Sequence, residues 1–149
     1  MKFPLTVIVW DTDFLVKISN DPLPKVDLRE LSKENEFVII PEVIQEIRGL
    51  ARSRNRTTAR RAEMALRAIE DSKFFKNTKL EGARQPAKET DEVLIEVIRI
   101  KPDERTLATM DGTLLSSMEK SGLPYMTLSK GKLYSRPVAR ATYLTKRGK

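Results

Sequence analysis

The sequence predicts an α/β fold with three layers: a central, mainly parallel sheet with helices on both faces. Three observations carry this. Short, almost continuously apolar runs recur, as expected of strands buried on both faces. Between them lie longer segments with apolar residues at helical spacing. The two kinds alternate along a chain of 149 residues, which implies parallel strands joined by helical crossovers. That length suits one domain, expected over residues 1–149 with a core from about 4 to 128.

The first strand is residues 5–10 (LTVIVW), and Asp11 follows at once. Thr12 is expected to cap a short helix ending near residue 19. Residues 20–24 (NDPLP) carry turn chemistry, and residues 26–32 have a helical pattern. A second buried strand is residues 37–40 (FVII). Pro41 suits the first turn of the next helix, whose apolar stripe is Val43, Ile44, Ile47, Leu50 and Ala51. After a break at residues 55–58, another helix runs to about residue 71 with Ala62, Ala65, Leu66 and Ile69 inward. A short strand is placed after it. Residues 81–88 are polar and loop-like. Residues 89–100 form a helix presenting Val93, Leu94, Val97 and Ile98. Residues 105–110 (RTLATM) form the fourth strand, ended by Asp111. Leu114, Leu115 and Met118 mark the last helix, with Gly122 as its stop, and residues 123–128 the last core strand.

Composition excludes several chemistries. The chain has no cysteine and no histidine. Disulfides, thiolate zinc sites and cysteine nucleophiles are therefore absent, as are the commonest general base and transition-metal ligand. Hydrolysis, if present, must run on carboxylates, lysine, hydroxyls or a hard metal. There are 28 Lys and Arg against 21 Asp and Glu, a net charge of +7, so polyanions are attracted. A charge-rich thermophile surface gives a similar balance. No apolar stretch approaches the roughly 18 residues of a membrane helix, and residues 1–10 lack a signal-peptide layout. A cytoplasmic protein with no membrane partner is expected.

In open α/β sheets, ligands gather at the carboxyl ends of the strands. Asp11 and Asp111 sit there. On the helix after Pro41, Glu46 lies about 100° from the centre of the apolar arc and Glu42 about 140°, further toward solvent. On the helix near residue 90, Asp91 lies about 90° from the apolar centre, Glu89 about 110°, Glu96 about 130° and Glu92 about 170°. Asp91 also stands in the first turn, where the helix dipole favours an anion. Glu46 and Asp91 are thus the helical acids closest to a core edge. Carboxylates sharing one cleft repel unless a cation intervenes, and oxygen-only ligands select Mg²⁺ or Mn²⁺. Spacing alone leaves open whether the four converge.

The stretches VIVWDTDFL, IPEVIQEI, ETDEVLIEVI and TLATMDGTLLSSMEKSGLPYMTL, in this order and context, resemble a PIN domain of the VapC-type ribonuclease superfamily, over residues 7 to 128. The resemblance implies RNA cleavage with Mg²⁺ or Mn²⁺ held by Asp11, Glu46, Asp91 and Asp111, with Thr109 at a hydroxyl position near the last acid. It suggests the toxin of a type II toxin–antitoxin system, whose antitoxin would cover the acids or insert a basic side chain among them. Two positions depart from the pattern. Asp13 stands where Asn or Ser is commonest, either as a fifth acid or facing solvent. Met110 stands where Asn is common, removing a polar contact.

Arg48, Arg52, Arg54, Arg56, Arg60, Arg61 and Arg67 crowd one helix–loop–helix segment in which Glu63 is the only acid. RNA phosphates or an acidic partner protein fit them; the first six are taken as RNA-binding. Residues 129–149 form a basic tail without an acid, read as an electrostatic arm or as docked through Tyr134, Tyr143 and Leu144. Trp10 is expected in the core rather than stacking on a base. A homodimer is the default assembly. Competing readings are a ribosomal-RNA-processing PIN nuclease, a non-catalytic RNA-binding module, and a haloacid-dehalogenase-like phosphatase with Asp11 as nucleophile. The last has the DTD opening but lacks a Ser or Thr after the second strand, where Pro41 stands.

Overall fold

A computed structural model describes residues 6–21, 28–71, 73–77, 80, 89–129 and 132–136. Most of the expected turn at residues 20–24 (its residues 22–24), the loop at residues 81–88 and the tail beyond residue 136 lie outside these. The elements run β1 (Thr6–Trp10), α1 (Thr12–Asn20), α2 (Leu28–Glu34), β2 (Asn35–Ile39), α3 (Pro41–Ala51), α4 (Arg56–Asp71), β3 (Phe75–Asn77), α5 (Thr90–Arg99), β4 (Arg105–Ala108), α6 (Gly112–Lys120), β5 (Tyr125–Ser129) and β6 (Lys132–Arg136).

One six-stranded sheet is ordered β3-β2-β1-β4-β5-β6. Every pairing is parallel except β5 with β6. From β1 the chain winds outward through β2 and β3, then crosses back to β4 and β5. Right-handed crossovers running in opposite directions place helices on opposite faces. The contacts agree: α1, α3 and α4 pack on one another, and α5 packs on β4 and α6. β1 and β4 are neighbours, with Trp10 level with Ala108. The winding reverses between them, so the ends of these two strands open into the crevice where α/β folds bind ligands.

The core is aliphatic apart from one aromatic group. Trp10 is fully buried, edge-on to Phe14, Phe37 and Phe75 with ring centroids 4.9–5.6 Å apart. Stacking on a base needs an open ring face, so Trp10 serves packing, as expected. Its indole Nε1 has no hydrogen-bond partner among the described residues.

Three local expectations are corrected. Asp11, not Thr12, caps α1: its carboxylate accepts the Thr12 N–H, and its carbonyl accepts the Leu15 N–H. The first part of the basic tail is a strand, β6, antiparallel to β5. Leu133 packs on the core while Tyr134 is 61% exposed. Glu42 does not point out to solvent. It is half-buried, with Oε1 enclosed and unpartnered among the described residues, whereas Glu46 is exposed. A helical wheel assumes one environment along the whole axis. α3 begins directly after buried Ile39 and Ile40, so its first turn is shielded at angles that are open further along. Gly122 does end α6, at φ 66°, a backbone conformation that a Cβ disfavours.

Candidate functional site

Asp11 and Asp111 share a local logic. Each leaves a sheet strand and caps the next helix. Asp11 Oδ1 accepts the Thr12 N–H at 2.8 Å. Asp111 Oδ1 accepts the N–H groups of Thr113 and Leu114 at 2.8 and 3.0 Å. Unpaired N–H groups at a helix start satisfy a carboxylate there, so part of each side chain's role is structural.

Two threonines tie the acids further. Thr109 is fully buried; its hydroxyl donates to Asp11 Oδ2 at 2.7 Å and accepts the Asp111 N–H at 3.1 Å. Thr12 is 3% exposed and donates its hydroxyl to Glu46 Oε1. Thr12 therefore holds Asp11 with its N–H and Glu46 with its O–H. From sequence, Thr12 is expected only as a cap. Helical periodicity carries no signal for a hydrogen bond between residues 34 apart.

The acids expected from sequence face one cavity of about 310 Å³, lined by Asp11, Thr12, Asp13, Glu46, Leu50, Asp91 and Asp111. No lysine or arginine among the described residues lines it. Asp13 is both exposed and part of the wall, so the two readings of it are not alternatives. A second cavity, of about 340 Å³, is lined by Glu46, Asp91, Glu89 and Thr90, so Glu46 and Asp91 stand between the two.

The crowding shows in the acidities. Burial, with smaller contributions from Asp13 and Asp91, pushes the Asp11 carboxyl from 3.8 up to about 6 despite the hydrogen bonds from Thr109 and Thr12 that oppose it. Asp91 is also raised, first by burial, then by the charges of Asp111, Glu46, Asp13 and Glu89. No basic side chain among the described residues lining the cavity offsets this repulsion, and a divalent cation is the species that would relieve it. The donors are all oxygen, which suits Mg²⁺ or Mn²⁺. As the side chains stand, no three acids among the described residues are grouped to hold one ion. Donor chemistry and charge, not the present spacing of the side chains, are what suit such an ion; Mg²⁺ usually fills its remaining positions with water.

The arginines divide. Arg61 is tied to Asp21, with nitrogen–oxygen contacts of 3.1 and 3.4 Å. Arg61 and Lys17 together hold the Asp21 carboxyl down to about 2. The Asn20 amide donates to the Arg61 carbonyl at 2.8 Å. Arg61 thus fastens α4 to α1. Arg48, Arg52, Arg54, Arg56, Arg60 and Arg67 are exposed.

The structure of the PIN domain endonuclease Utp24 matches this one with a TM-score of 0.58 and 19% identity, over 87% of this chain and 90% of that one. The fold is that of a PIN domain. No protein-family model and no curated protein sequence matches the chain. In this PIN fold the acidic cavity lies at the ends of β1 and β4, the crevice singled out by the strand order.

Proposed function

We propose that this protein is a divalent-metal-dependent endoribonuclease acting in the cytoplasm as the toxin of a type II toxin–antitoxin pair. One observation carries the nuclease reading: among the described residues, five acids and no base line a cavity at the switch point of a PIN fold. A site that negative cannot accept an RNA phosphate unless a cation is present. Asp11, Asp91, Asp111 and Glu46 are the residues that would hold Mg²⁺ or Mn²⁺. When bound, the ion supplies Lewis-acid polarisation of a phosphoryl oxygen and a more acidic water.

The chain's own residues do the rest. Thr109 fixes the Asp11 carboxylate, and Thr12 fixes Glu46. The helix starts of α1 and α6 hold Asp11 and Asp111 in place. The exposed arginines of the α3–α4 segment contact RNA phosphates, a role for which Arg61 is spoken for by Asp21.

The toxin assignment rests on the resemblance of the motifs to VapC-type proteins. It implies an antitoxin that covers the acids or inserts a basic side chain among them; a homodimer is the default assembly. The test is incubation of the purified chain with RNA, with and without Mn²⁺, beside Asp11→Asn and Asp111→Asn. Cleavage that needs the ion, leaves 5′-phosphate and 3′-hydroxyl ends, and is lost in both variants supports the reading. Cyclic phosphate ends would mean attack by the RNA 2′-hydroxyl and contradict it. A small gene next to this one, whose product copurifies and silences cleavage, supports the toxin role.

A further inference from the structure

We infer that the outer face of α4 is a rail for the RNA backbone, separate from the acidic cavity, so that the substrate is an RNA extending well beyond the bond cut. The inference rests on the endoribonuclease reading and deepens it. Arg56, Arg60 and Arg67 recur at intervals of four and seven residues. At about 100° and 1.5 Å per residue they fall within roughly a 40° arc, along about 16 Å of helix. All three are exposed, opposite buried Ala62 and Ala65.

Among the described residues none of the three forms an ion pair. Glu63 and Glu70 stand three residues after Arg60 and Arg67, the reverse of the order in which Glu96 pairs with Arg99 on α5, and this order is the weaker one for a helical ion pair. Arg56 occupies the first turn of α4, which contains no acid. A cation there opposes the helix dipole, a local cost that an external anion removes. In the chain, Leu50 of the cavity wall lies six residues before Arg56, across the α3–α4 turn. Guanidinium groups suit phosphates, which they grip bidentately. A strand leaving the cavity over this turn meets Arg56 first and Arg67 last.

The test is equilibrium binding of a 20-nucleotide single-stranded RNA to the full chain in EDTA, across salt concentrations. It compares wild type with R56Q/R60Q/R67Q and with R56K/R60K/R67K. Gln and Lys are both good helix formers, and circular dichroism checks the fold. Losing three phosphate contacts should lower the slope of log affinity against log salt by about 2 and weaken binding roughly tenfold or more. The lysine variant should keep the slope. Equal slopes and affinities in wild type and the glutamine variant overturn the rail. So does unchanged RNA binding with lost binding of polyglutamate, which assigns the face to an acidic protein. Because binding is read without a divalent ion, the rail can stand if cleavage is never seen, and can fall while cleavage survives.

Discussion

The buried Thr109 hydroxyl donates to Asp11 Oδ2 at 2.7 Å, and its oxygen also takes the Asp111 N–H at 3.1 Å. One side chain therefore sets the two strand-end acids against each other. Thr109→Val keeps the shape and removes both bonds, leaving a buried carboxylate oxygen and a backbone N–H without this partner. The expected cost is about 1–3 kcal/mol in urea denaturation, with a further rise in the Asp11 pKa by NMR. Thr109→Ser should recover most of both.

Acidity gives a signed expectation for the metal-free protein. Asp11 holds its proton more tightly folded, at about 6, than unfolded, at about 3.8. Its proton therefore favours folding below about pH 4, and this contribution is lost as pH rises through about 6. Across the full range the shift corresponds to about 3 kcal/mol. Asp91, also raised, acts in the same direction. Denaturation from pH 4 to 8 should show the loss. Asp11→Asn, which keeps an oxygen for the cap, should flatten the curve relative to wild type. A curve of the same steepness in both would assign the pH dependence elsewhere.

Thr12→Val tests the tether on Glu46. Valine fills the same buried space, so stability should fall by about 1 kcal/mol. Cleavage and Mn²⁺ affinity should each fall about 10–100-fold, the usual cost of losing a group that orients a ligand. Thr12→Ser should restore both. Equal Mn²⁺ binding by wild type and Thr12→Val would leave the tether a packing detail.

Asp13 separates the nuclease from the phosphatase. It is exposed at the cavity mouth, so Asp13→Asn should reduce RNA cleavage by less than about tenfold, one missing like charge among several. A phosphatase using the DTD opening would be abolished by the same change. Assays with RNA and with a phosphomonoester, run on one preparation, distinguish the two.

Much of the fold was legible because period and placement are local signals. LTVIVW and FVII have the apolar continuity of buried strands, and Asp11 and Asp111 follow their strands in the sequence itself. The strand β6 was not legible: its KLYSR alternation is short and sits inside a run of basic residues, so charge masked it. Glu42 and Glu46 were ranked by angle, which omits how deep a helix starts. Arg61 counted as one arginine among seven, because nothing local reveals that Asp21, forty residues earlier, holds it. Thr12 was assigned to the cap, although its hydroxyl reaches a different helix.

The cavity at the ends of β1 and β4 is expected to hold a divalent ion. A crystal soaked in Mn²⁺, with data collected at the manganese edge, tests it most directly. An anomalous peak is expected within reach of Asp11, Glu46, Asp91 and Asp111, lost in Asp111→Asn crystals. A cavity without that peak at millimolar Mn²⁺, or a peak only elsewhere on the surface, would contradict it.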